Sequence, residues 1–350
     1  MKESNLPLQQ WMTTKILAKD FDKRREPHLR YVSYTERFDE LIDGIKFVCE
    51  LIDKNAKIKR IDQSASQRLW DTLNWLSLQY SSGCSVSLFR ESWPHVLSWT
   101  EQYAETHEAH HLSNNADIIT PHISINDDEY WIVALRLICF GLLTGNAEHM
   151  PKIMAIIDYA NTELGIQDGL LERLVAPFVP GRGTPPDTAT RHLPYRKLFK
   201  VFDAAPDKRP ALMAKYLDEW YHASRREPYI DQHGEADFSF YGYWSWEAAA
   251  VTWLLQIDDS SYRDIPFYPR DLADFAHNLP ATPATPSAPP PTYAGQPCPR
   301  AGYWFTLAQH GSRRHFAQDD LFPEIPSETS KGLTLWQWAD DQGDEGTSGQ

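Results

Sequence analysis

At 350 residues the chain is long enough for two domains, and a hydrophobic share of 42% is ordinary for a protein that buries a core. A net charge of −14 argues against direct binding to nucleic acid, which needs a positive footprint, and favours a basic partner. Cys49, Cys84, Cys139 and Cys298 lie far apart and form no C-x-x-C, which excludes a zinc knuckle or a redox motif and suits a reducing compartment. The N-terminus lacks the apolar stretch of a signal peptide. The best apolar run, 130–143, is too short for a membrane span and contains Arg136, so the expected location is the cytoplasm.

In chain order, Leu6 to Ala18 reads as a short helix broken at Glu26-Pro27. Tyr31, Tyr34, Phe38, Leu41, Ile42, Ile45, Val48, Cys49 and Ile52 then form one unbroken stripe, which predicts an amphipathic helix over His28 to Lys54. A second helix is predicted for Ser64 to Tyr80, ending before Gly83, and a third opens at Trp93-Pro94. After a loop, Glu129 to Leu143 is apolar on nearly all sides and should be central, with Asn126, Asp127 and Asp128 as cap candidates. Further helices are predicted for Ala147 to Leu164, Asp168 to Val175, Pro194 to Phe202 and Lys208 to Ser224. The stretch Pro180 to Asp187, PGRGTPPD, reads as a rigid exposed loop.

The densest stretch runs from Phe240 to Leu272. Trp246, Ala249, Ala250, Trp253 and Leu254 share one helical face, so Trp246, Trp253 and Phe267 are expected in the core. Pro269 can open a helix from Arg270 to His277. Pro280 to Pro291, PATPATPSAPPP, cannot pack a core and reads as a linker. Beyond it, Tyr303 to Leu307 and Leu333 to Trp338 have strand chemistry. They predict a small β-unit over Cys298 to Trp338 that needs packing against something else, followed by a disordered acidic end from Asp340. The expected class is therefore mainly α, a two-lobed helical body with a small C-terminal β-unit. Its divisions are an N-terminal helical domain (1–120), a C-terminal helical domain (121–279), a linker (280–297) and a tail module (298–350).

The order aromatic–Gly–Tyr–Trp at Tyr241 to Trp244, then Trp-Glu-Ala-Ala-Ala-Val, Asp-Asp-Ser and Phe-Tyr-Pro-Arg-Asp-Leu resembles the C-terminal domain of the PoNi family, immunity proteins against polymorphic nuclease toxins. The likeness runs from about Pro194 to Asn278. It implies a helical protein that binds and blocks a toxin made by the same bacterium, without a cofactor and without catalysis. Cys298-Pro299, Gly302-Tyr303-Trp304, Ser312-Arg313-Arg314 and Thr334 to Trp338 resemble a short tail of immunity-type proteins from type VI secretion clusters, although Asp319-Asp320 stands where a Gly beside the acid is expected.

A nuclease must hold phosphate with positive charge, so carboxylates beside large rings would complement it. This makes Asp231, Glu235, Asp237, Tyr243, Trp244, Asp258 and Asp259 the expected toxin-binding residues. One string competes: His107-Glu108-Ala109-His110-His111 satisfies H-E-x-x-H, with His107 and His111 as zinc ligands and Glu108 as base, but its neighbours Glu101, Gln102 and Glu105 are polar and read as an exposed helix end. The expected reading has no metal and no direct nucleic-acid or membrane partner. Its rivals are a zinc hydrolase and, from the tail, a structural or adaptor protein of a secretion apparatus.

Overall fold

The computed structural model describes residues 6–53, 60–113, 120–234, 239–279, 292–306, 312–325 and 334–339. The chain divides into two compact units, Met1–Pro283 and Ala284–Gln350. The fold is mainly α, with one small antiparallel sheet in the second unit.

In the first unit the long helices form where the apolar stripes predicted them: α1 (Tyr31–Asp53), α2 (Ile61–Ser82), α3 (Ser87–Ser113) and α4 (Asp128–Leu143). Asp127 caps α4 by accepting from the backbone N–H groups of Glu129 and Tyr130, which satisfies two of the donors a helix start leaves open. Trp131, Val133, Leu135, Leu137, Ile138, Phe140 and Leu142 of α4 are all buried, so this helix is central, as its all-round apolarity requires. Its one basic residue, Arg136, donates to Asn74 Oδ1 at 2.8 Å. Helices α5 (Met150–Asp158), α6 (Gly169–Val175), α9 (Trp246–Leu254) and α10 (Arg270–Asn278) pack on α4, while α7 (Phe199–Asp203) packs on α6 and α8 (Arg209–Ala223) on α7.

Several boundaries differ from expectation. The segment Leu6 to Ala18 forms 3-10 turns, Gln10–Thr13 and Ala18–Lys23, and not a helix. Helix α3 starts at Ser87 and runs through Pro94, an interior position at which proline removes one backbone donor from the helix. The helix predicted to reach Leu164 stops at Asp158, and Ala160 takes a left-handed φ of 61°. The division expected at residue 120 separates no cores: residues from Met12 to Ala276 belong to one continuous apolar cluster, because α4 is covered from both sides of that point. The PGRGTPPD loop is tied down through Arg182, which pairs with Asp158 at 2.7 Å and with Glu172.

The second unit holds strands β1 (Thr292–Tyr293), β2 (Gly302–Phe305), β3 (Arg314–Phe316) and β4 (Leu335–Trp338), in the order β1-β4-β2-β3, all antiparallel. Strand β1 lies inside the stretch expected to be linker, so the linker is shorter than 280–297. The sheet is not without a core of its own. Cys298, Trp304, Phe316, Phe322 and Trp336 pack together, with Trp304 against Phe322 at 4.9 Å. Residues 280–291 and the acidic end from Asp340 lie outside the described residues.

Candidate functional site

The aromatic–Gly–Tyr–Trp stretch has a mechanical reason for its glycine. Gly242 has φ 104°, and a Cβ there would meet Ser81 Oγ at 2.0 Å. That hydroxyl donates to the Tyr241 carbonyl at 2.6 Å and accepts from Trp244 Nε1 at 2.8 Å, so the stretch is laced to the end of α2. Glu26, buried, fixes it from the other side by accepting from the backbone N–H groups of Tyr243 and His28, both at 3.0 Å. Arg25 spans the same seam: it pairs with Asp271 at 2.5 Å, donates to the carbonyls of Tyr80 and Cys84, and lies over the Tyr80 ring.

These ties leave a groove of about 800 Å³ between residues 23–28 and residues 263–271. That volume lies within the range of ligand clefts, about 300–1,000 Å³. Tyr80, Tyr243, Trp244, Phe267 and Tyr268 supply aromatic wall. Phe267 has φ 72°, a conformation costly for a bulky residue, and its carbonyl accepts from Ser245 N–H at 2.8 Å. Its ring is held by Trp220 and Tyr221, with centroids at 5.4 and 5.2 Å. Beneath this wall Glu247 is 1% exposed, and one carboxylate oxygen accepts from Tyr216 at 2.6 Å, Ser245 at 2.7 Å and Trp220 at 2.8 Å. Burial pushes the Glu247 carboxyl above its ordinary range, while these three donors hold it down.

The structure brings together only part of the predicted set. Trp244 and Tyr243 both line the groove, but Tyr243 is 1% exposed. Its hydroxyl contacts His233 Nδ1 at 2.6 Å. Asp259 is largely buried behind the wall, accepting from Arg263 at 2.8 Å and from Tyr268 at 3.1 Å. Asp231 is exposed and receives the Tyr221 hydroxyl at 2.7 Å, one ring behind Phe267. Asp258 is exposed in a turn, where Ser260 N–H bonds to it and lowers its pKa. Glu235 and Asp237 lie outside the described residues. Of the expected core residues, Trp246 is buried, whereas Trp253 and Phe267 are half-buried at its edge. Helix α9 ends one residue after Trp253, so that ring reaches Phe178 and no deeper. Phe267 is held outward by its own left-handed backbone. Sequence reasoning missed the other wall, Lys23 to His28, whose one signal was the run Lys23-Arg24-Arg25 before Glu26-Pro27.

The H-E-x-x-H string is less exposed than its polar neighbours suggested, because residues 120–125 fold over the end of α3. His107 Nδ1 meets His122 Nδ1 at 2.9 Å, and His111 Nε2 meets the Thr120 hydroxyl at 2.6 Å. Among the described residues no group of three or more His, Cys, Asp or Glu is arranged to hold a metal ion. Tyr159 lies flat on His122 at 3.8 Å. Burial pulls His107 and His122 down to about 4 from the ordinary 6.5, and the neighbouring imidazoles add to it. His110, Asp62 and Arg60 also face His107. Both rings are therefore neutral in the folded chain between pH 4 and 6.5 while the unfolded chain takes up protons, so stability falls as pH falls through that window. His107→Gln with His122→Asn should flatten this slope; equal slopes in thermal melts from pH 7 to 4 would contradict it.

The helical body thus carries an aromatic, charged groove on one side of its most motif-rich stretch. Residues 166–272 match the family of PoNe immunity proteins (PoNi), C-terminal. This recognition covers α6 to α9 and the 263–271 wall of the groove, and it confirms the PoNi type read from the motifs; the family implies immunity to nuclease toxins. The fold is similar to the crystal structure of protein PA2201 from Pseudomonas aeruginosa, with a TM-score of 0.60 and 18% identity over 73% of this chain and 90% of that one, a likeness of fold alone. No curated protein matches. No helix among the described residues is long and apolar enough to cross a membrane.

Proposed function

We propose that this chain is a cytoplasmic immunity protein that binds a DNase-type toxin of a bacterial secretion system, type VI by the likeness of its tail, and so protects the producing cell. The observation that carries this reading is the PoNi match over 166–272, whose motif residues build one wall of the groove. The proposed toxin-facing surface is the groove, with Trp244 as a contact and Tyr243 and Asp259 as supports behind it; the exposed Asp231 and Asp258 are further proposed contacts beyond the groove lining. Glu235 and Asp237 are proposed as contacts on their sequence alone. Carboxylates on the rim would speed encounter with a basic nuclease, and rigid rings would anchor it. The zinc-hydrolase reading is not favoured, since His111 Nε2, a ligand atom it needs, is turned to the Thr120 hydroxyl.

The purified chain should form a stable stoichiometric complex with the toxin domain encoded beside it and stop DNA degradation by that domain. Failure to co-purify at low salt would remove the proposal. A complex that forms without loss of nuclease activity would turn it towards the adaptor reading.

A further inference from the structure

The groove has the opposite sign to the molecule. In a chain of net charge −14 it is lined by Lys23, Arg24, Arg25, Arg263 and Arg270 against Glu26, Asp264 and Asp271. The carboxylates are already engaged: Glu26 by two backbone N–H groups, Asp271 by Arg25, and Asp264 by Arg270. Two cations on the 23–28 wall are held more loosely. The Lys23 side chain is 80% exposed, and the carboxylate it faces, Asp20, is 3.9 Å away. Arg24 has a buried Nε with no hydrogen-bond partner, its guanidinium lying over Phe21 at 5.5 Å.

We propose that the groove receives an acidic peptide segment of the toxin, with carboxylates set on Lys23 and Arg24 and apolar side chains against Trp244, Ile265 and Phe267. The inference rests on the immunity reading above and gives that interface its chemistry. Three observations converge on it. The volume suits a few residues of extended chain. The more loosely held charge on this wall is positive, and a guanidinium gives charge-assisted bonds to a carboxylate. The facing wall carries the strained Phe267, and backbone strain of this kind gathers at ligand clamps. The negative rim and the positive groove act at different stages: the long-range field brings a basic partner in, and the groove fixes its register by one acidic protrusion.

The test uses the full chain and a catalytically inactive form of the toxin domain encoded beside it, with the equilibrium affinity measured across a salt series. Lys23→Glu with Arg24→Glu should weaken binding about tenfold or more, and Lys23→Gln with Arg24→Gln should fall between that and the parent. Lys46→Glu with Lys200→Glu makes the same change of net charge outside the groove and should not weaken binding. Melting curves establish that all variants are folded. If the parent binds and the Lys23/Arg24 variants bind as well as it does, the groove proposal fails and the immunity reading stands. If the control pair weakens binding equally, net charge and not the groove is responsible, which also overturns it. A parent that does not bind removes both readings.

Discussion

Replacing Glu247 by Ala is expected to cost the helical body about 3–5 kcal/mol, since a buried donor left without its acceptor costs about 1–3 kcal/mol and three are left at once. The tyrosine of α8, the indole one turn on and the serine before α9 all donate to one oxygen, and their owners Trp220 and Ser245 are 1% and 0% exposed. Glu247→Gln keeps an oxygen in place and should lose less. Because Trp220 also backs Phe267, loosening this network should soften the groove wall, so Glu247→Gln should weaken toxin binding more than its melting point suggests. Urea unfolding of Glu247→Ala that matches the parent would show that the three donors find other partners.

What the residues disclosed depends on how far each contact reaches along the chain. Periodic stripes are local, so α1, α2 and α4 were legible, and α4 was legible even as the central helix because it has no polar face. The Asp168 cap of α6, which accepts from the N–H groups of Leu170 and Leu171, is equally local. Glu247 stands in the first turn of α9, where the helix dipole favours a carboxylate, but its burial depends on α8, about thirty residues upstream. The groove was the hardest to foresee. Glu26 meets Tyr243 across 217 positions, and Arg25 meets Asp271 across 246. No periodicity encodes a pairing at that separation. Only the motif-bearing wall could be picked out, by its resemblance, and with it came carboxylates whose burial no pattern shows: Asp259 reads like Asp258 in sequence but is held behind the wall by Arg263 and Tyr268.

Trp246 and Trp253 lie one face and two turns apart in sequence and should behave differently when cut to Ala. Trp246 is 4% exposed and meets Tyr80 edge-on at 5.2 Å and Phe140 at 5.0 Å, with Phe89 at 6.0 Å, so its ring joins α2, α3 and α4. Removing a buried Trp side chain costs about 3–5 kcal/mol, through lost transfer energy and the cavity left behind. The surrounding rings are large and cannot collapse far into the gap, which places Trp246→Ala toward the upper end. Trp253 is half-buried with one stacked partner, Phe178 at 5.9 Å, and its removal exposes surface to water instead of opening a void. Its loss should be about 1–2 kcal/mol. Chemical denaturation of the two variants beside the parent separates the cases. Similar losses would mean that the aromatic stretch is one uniform face of the core. A larger loss for Trp253 would mean that α9 packs through its C-terminal end, and the junction of Trp246 with Tyr80, Phe89 and Phe140 would no longer be the point from which the groove wall is held.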